Sequence, residues 1–179
     1  METIFLTGFR SVGKTMVGKL LASRKDLEFV DTDQYIVDKE NRSIEEIRNS
    51  SGEQYLRNLE KYVLENSISQ GAIVALGTYI PMHEENIMAI KRNGRVIYLR
   101  AKAETILENI KNDTEKGAYK SKDFSIFTIQ KELDEMKTYY EQIANFIIDI
   151  DGKKLNQVFK EALAIYNFAN KVKCHIYIK

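Results

Sequence analysis

Four residues near the start of the chain have the types and spacing to hold a nucleotide's phosphates: Gly8, Gly13, Lys14 and Thr15, within "TGFRSVGKTM". They satisfy the pattern G-x-x-x-x-G-K-[ST]. The glycines let the backbone turn tightly, so that N–H groups along Arg10, Ser11, Val12, Gly13, Lys14, Thr15 and Met16 can converge on phosphate oxygens at a helix start. Lys14 would neutralise the β- and γ-phosphates, and the Thr15 hydroxyl would complete a magnesium shell. The ligands expected on this side are therefore ATP and Mg2+. An accidental glycine turn before an amphipathic helix is the plainer alternative, but the motif lies directly between a buried strand and a helix, the context it requires.

"FVDTD" sets Asp31 and Asp33 at the C-terminal end of the second strand, where ligands of open α/β sheets bind. Residues two apart on a strand share a face. One carboxylate can then hold a magnesium-bound water while the other reaches an acceptor hydroxyl. Asp33 could instead be the N-cap of a helix over 33–40. In "SGEQYLRNLEKYVL", Arg57 and Glu60 are three apart on one helical face. Glu60 can orient the guanidinium, and Arg57 can present its fork to a carboxylate or phosphate.

The elements that must position these groups alternate regularly. Short apolar runs at 3–9, 27–31, 72–77, 95–100 and 146–151 read as buried strands. Helices are expected over 14–23, 33–40, 43–50, 53–69, 83–93, 102–112 and 127–144, with another after 151 and an edge strand in "KCHIYIK" (173–179). Such alternation implies right-handed crossovers and a parallel sheet: an α/β, three-layer α/β/α phosphate-loop fold of about five strands in a single domain, 1–179. The polar stretch 111–125 is long for a loop inside a compact domain and is expected to act as a lid.

Two hydrolytic classes are excluded. "NKVK" (170–173) lacks the aspartate of a guanine-specificity element, and "DIDG" (149–152) comes far too late to be a switch. A motor ATPase would end a hydrophobic strand in paired acids, whereas "AIVALG" ends in none.

With these motifs in view, the chain resembles the shikimate kinase family from residue 1 to about 165. The phosphate loop, D-x-D, "GEQYLRNLE" and "YYEQIANFIIDIDG" carry the resemblance, and "IVALG" matches the start of a strand leading to a triple glycine. The resemblance implies ATP- and magnesium-dependent phosphoryl transfer to a shikimate hydroxyl. By position, Lys14 and Thr15 serve ATP and magnesium, and Asp31 holds magnesium through water. Asp33 lies beside the reacting hydroxyl, and Arg57 on the acceptor's carboxylate; Lys14 and Asp33 are the expected catalytic residues. Phosphoryl transfer of this kind needs positioning, charge neutralisation and one carboxylate near the attacking hydroxyl.

Departures from the family concentrate on the acceptor side. The triple glycine reads Gly77, Thr78, Tyr79, and all three are candidates to touch the acceptor. The lid has no arginine, only Lys116, Lys120 and Lys122, with Lys116 the candidate to close over ATP. Met136, beside Lys137, stands where an arginine usually binds the acceptor's carboxylate. Two other functions therefore stand beside the first: a kinase for a different small hydroxy acid or polyol, and a nucleotide-binding regulatory domain or pseudoenzyme.

The rest of the composition limits partners. A net charge of +1 gives no bulk attraction to nucleic acid or acidic membranes, and no apolar run is long enough to span a bilayer. One cysteine, Cys174, allows no internal disulfide. With "METIFLTGF" running straight into a strand, a cytoplasmic protein acting on a small molecule is expected, as a monomer or weak homodimer. His83, at a helix start, and His175, in the terminal strand, are not expected to be catalytic, and Tyr139 and Tyr140 are expected to pack a helix face. Pro81 is expected to set the first turn of the helix near 83.

Overall fold

In the computed structural model, residues 1–66, 68–115 and 124–174 are described, residues 114–115 and 172–174 by backbone alone. Five strands form one parallel sheet: β1 (Thr3–Thr7), β2 (Phe29–Asp31), β3 (Ile73–Ala75), β4 (Gly94–Arg100) and β5 (Phe146–Asp149), in the order β2-β3-β1-β4-β5. Eight helices connect or follow them: α1 (Lys14–Lys25), α2 (Thr32–Glu40), α3 (Ile44–Ser51), α4 (Glu53–Asn66), α5 (Glu84–Asn93), α6 (Ala103–Glu115), α7 (Ile126–Ile143) and α8 (Leu155–Cys174). The order reverses at β1, so the loop after β1 opens at a topological switch point, where such sheets bind ligands.

Alternation along the strands builds the layers. Ile4 and Leu6 of β1 join the core beneath α1, α6, α7 and α8, while Phe5 joins the core beneath α2, α3, α4 and α5. All five β1 residues are buried, which is why the sequence there is an almost unbroken apolar run. Gly94 opens β4 against β1, and a Cβ there would lie 2.1 Å from the Thr3 carbonyl oxygen. The two strands can run together only without that atom.

Several boundaries differ from those expected of the sequence. β1 stops at Thr7, because Gly8 turns with φ +138° and peels the chain into the phosphate loop. α2 begins one residue early, at Thr32, capped by Asp31 rather than Asp33: the Asp31 side chain accepts from the Gln34 N–H. Pro81 lies in a separate 3-10 turn (Ile80–Met82), and α5 starts only after His83. Residues 173 and 174, expected to open an edge strand, are the end of α8; 175–179 lie outside the described residues. So does 116–123, most of the expected lid, including Lys116, Lys120 and Lys122. Among the described residues no helix is long and apolar enough to cross a membrane.

Candidate active site

The loop from Gly8 to Gly13 is built to leave its interior open. Gly8, Ser11 and Gly13 all have positive φ, and a Cβ at Gly8 would strike the Leu99 carbonyl oxygen at 2.5 Å. Val12 anchors the loop with a buried side chain. The Lys14 ammonium folds back over the loop, donating to the Gly8 and Phe9 carbonyls at 2.7 and 2.8 Å. From α6, Asn109 donates to the Ser11 carbonyl at 2.8 Å and steadies the outer edge. Ser11, Gly13, Lys14, Thr15, Met16 and Asn109 are among the residues lining a cleft of about 480 Å³. A larger hollow of about 700 Å³ near Thr3, Gly94 and Asn145 lies at the amino ends of the strands, away from this chemistry.

The Arg10 side chain does something the loop motif does not specify. It turns away from that cleft, donating to the Tyr79 hydroxyl at 2.9 Å and pairing with Glu132 of α7. Its guanidinium lies 5.0 Å from the ring centre of Phe9 and 5.7 Å from that of Phe124.

The two aspartates also diverge. Because β2 ends at Asp31 and α2 begins at once, they do not share a strand face. Asp31 faces the phosphate loop, accepting the Thr15 hydroxyl at 2.7 Å. Thr15 and Asp31 thus bring a hydroxyl and a carboxylate together, the hard oxygen donors that magnesium takes in company with a nucleotide's phosphates. Among the described residues no group of three or more His, Cys, Asp and Glu side chains could hold a metal by itself.

Asp33 faces β3. A Cβ at Gly77 would lie 2.1 Å from Asp33 Oδ1, so the carboxylate rests directly on the glycine backbone. Between the aspartates, buried Thr32 accepts from the Gly77 N–H at 2.8 Å and donates to the Ala75 carbonyl at 3.3 Å, locking the end of β3 to the start of α2. This is why the first glycine of the family pattern survives when the next two do not. Thr78 gives its carbonyl to the Tyr140 hydroxyl at 3.0 Å, and Tyr79 meets Arg10. Met136, at 2% exposure, is core. Tyr140 packs fully buried against Tyr98 with ring centres 5.1 Å apart, so the expected packing role of that helix face holds there.

Electrostatically, Lys14 and Asp33 act on each other. Burial pulls the Lys14 ammonium down to about 8, against the attraction of Asp33 and Asp31. Burial pushes the Asp33 carboxyl up to about 6, aided by Asp31 and opposed by Lys14 and Arg48. Glu60 is pushed to about 8, again mainly by burial. Its carboxyl receives the Asn86 amide at 3.5 Å, and Arg57 does not pair with it. Arg57 instead approaches Glu53 through Nε at 4.0 Å, and Arg48 binds the other oxygen of Glu53 at 3.0 Å. Sequence reasoning missed Arg48, Glu132 and Asn109. Each reaches the site from a distant element, and no local motif marks it.

Comparison with known proteins gives one family. The sequence profile of the family described as "Shikimate kinase" matches residues 10–167. The shikimate kinase of Sulfurihydrogenibium sp. (strain YO3AOP1) is 35% identical over 164 residues, covering 91% of this chain and 96% of that protein. The crystal structure of shikimate kinase from Aquifex aeolicus superposes with a TM-score of 0.75 at 26% identity, covering 92% and 96% of the two chains. The enzyme of Acinetobacter baumannii in complex with shikimate has the same fold, with a TM-score of 0.77 at 24% identity over 100% of this chain and 96% of that one. With the phosphate loop, the Thr15–Asp31 pair and Asp33 assembled at the carboxyl ends of the strands, the chain belongs to the shikimate kinase family.

Proposed function

We propose that the protein transfers the γ-phosphoryl group of ATP to a hydroxyl of shikimate. The observation that carries this reading is the placement of Asp33. Its carboxylate lies on Gly77, coupled electrostatically to Lys14, while Asp31 is turned to Thr15. One aspartate is thus left for an acceptor and the other for the phosphate side.

The phosphate loop presents its N–H groups to the β- and γ-phosphates, and Lys14 exchanges its two carbonyl partners for phosphate oxygens. Thr15 and Asp31 would hold Mg2+, which supplies neutralisation of the phosphate charge. Asp33 aligns the acceptor hydroxyl. As its oxygen bonds to the γ-phosphorus, the bond from that phosphorus to the bridging oxygen breaks and ADP leaves. The hydroxyl proton passes to Asp33 and then to water. A carboxyl near 6 is ionised at neutral pH yet basic enough to take that proton. Arg57 faces the acceptor's carboxylate. Two of the departures on the acceptor side have packing roles in this chain: Tyr79 is held by Arg10, and Met136 is part of the core.

ADP release with ATP and magnesium, measured with and without shikimate, tests the proposal. Turnover should require shikimate and fall about 10²- to 10⁴-fold in Asp33→Asn, while ATP affinity stays within a few-fold. Shikimate-independent ADP release, or full activity in the variant, would overturn it.

A further inference from the structure

The proposed acceptor carries a carboxylate as well as hydroxyls, so the site needs cations that are not already committed. Lys14 belongs to the phosphate loop, and Arg10 is held by Tyr79 and Glu132. On α7, Lys137 lines a different hollow, beside Arg100 and Asp149, and Met136 is apolar. Among the described residues, two guanidinium groups from adjacent helices act electrostatically on buried Glu60: Arg48 near the end of α3 and Arg57 in the second turn of α4.

These two converge on one carboxylate. Glu53 takes Arg48 Nε at 3.0 Å on one oxygen and Arg57 Nε at 4.0 Å on the other. Both pairings use Nε, and among the described residues the terminal nitrogens of both guanidinium groups have no hydrogen-bond partner. A plain surface ion pair would end there. Arg48, however, also lies over the Tyr79 ring, 5.1 Å from its centre. Tyr79 follows Gly77, the glycine on which Asp33 rests, and Arg48 acts electrostatically on both Asp33 and Glu60. Arg48 is therefore placed on the acceptor side, with a flat aromatic support that fixes the plane of its fork.

We infer that Arg48 is a specificity-determining residue for the acceptor, forming with Arg57 a two-arginine clamp for the acceptor's carboxylate. Glu53 holds the two forks together, and Tyr79 holds Arg48 in plane. This assignment rests on the function proposed above. It gives Tyr79, one of the departures from the family pattern, a positioning role in this chain.

The test is steady-state kinetics of Arg48→Leu and Arg48→Lys against the parent, with shikimate and its uncharged primary amide as acceptors. Removing one charge-assisted hydrogen bond from the clamp should raise the KM for shikimate about 10- to 150-fold in Arg48→Leu, with partial recovery in Arg48→Lys. The KM for ATP should change less than about threefold, since Arg48 pairs with Glu53 and stacks on Tyr79 rather than on the phosphate loop. The parent's preference for shikimate over the amide should shrink about tenfold or more in Arg48→Leu, a change that mere loosening of the fold would not produce. A parent that turns over shikimate, with KM and amide discrimination unchanged in both variants, would overturn this assignment alone. A parent that binds ATP but neither binds nor turns over shikimate would overturn the function and the clamp together.

Discussion

At the scale of single residues, the site works by holding opposite charges where neither is comfortable. Asp33 and Lys14 are both displaced toward neutrality by burial, to about 6 and about 8, and each limits the other's shift. The proposed mechanism needs Asp33 ionised and Lys14 protonated. The free-enzyme profile of kcat/KM should therefore rise through pH about 6, level, and fall through about 8. Asp33→Asn should abolish the rising limb in whatever activity remains. A profile flat from about pH 5 to about 9 in the parent would show that neither group governs the reaction. Gly77 belongs to this scale too, because its missing side chain is the space that the Asp33 carboxylate fills.

At the scale of elements, the helices on the acceptor side of the sheet store a different kind of strain. Glu60 of α4 is 5% exposed and faces Asn86 of α5, with burial pushing its carboxyl up to about 8 from an ordinary 4.5. A raised folded-state value means that the native protein keeps a proton the unfolded chain has released. Stability therefore falls as pH rises from about 4.5 to about 8, and the full penalty is present above that. Glu60→Gln keeps the shape and can still meet Asn86 without a charge. It should leave stability nearly unchanged near pH 4.5 and raise it by about 1–3 kcal/mol at about pH 8.5, read from urea midpoints at an unchanged m-value. An equal effect at both pH values would mean that charge burial is not the cause.

At the scale of the whole molecule, the parallel sheet brings the loop after β1, the end of β2, the end of β3 and α7 together at its carboxyl end. Ligand binding there should draw on the entire fold. At about a hundred times its dissociation constant, a non-hydrolysable ATP analogue with magnesium should stabilise the native state by about 2.7 kcal/mol. For a domain of this size that raises Tm by about 5–11 °C in calorimetry. Lys14→Ala should remove most of the shift. An undiminished rise in that variant would place the nucleotide elsewhere.

The sequence alone determined the fold class, the phosphate loop and the identities of Asp31, Asp33 and Arg57. Those signals are local: a glycine spacing, a strand's apolar run, two acids at its end. Only the tertiary structure decided what each acid faces. β2 ends at Asp31, two residues short of Asp33, so the pair does not share a strand face; one turns to Thr15 and the other to Gly77. Helical spacing offers Arg57 two acids on α4, Glu53 and Glu60, and packing chooses between them: Glu60 is buried against Asn86, which leaves Glu53. Arg10 sits inside the phosphate-loop motif, yet its side chain serves Tyr79 and Glu132, 69 and 122 residues away. Arg48 carries no motif at all; it joins the site through Glu53 and Tyr79. Backbone chemistry is written in neighbouring residues, whereas the direction of a long charged side chain depends on which distant groups packing brings within a few ångströms of it.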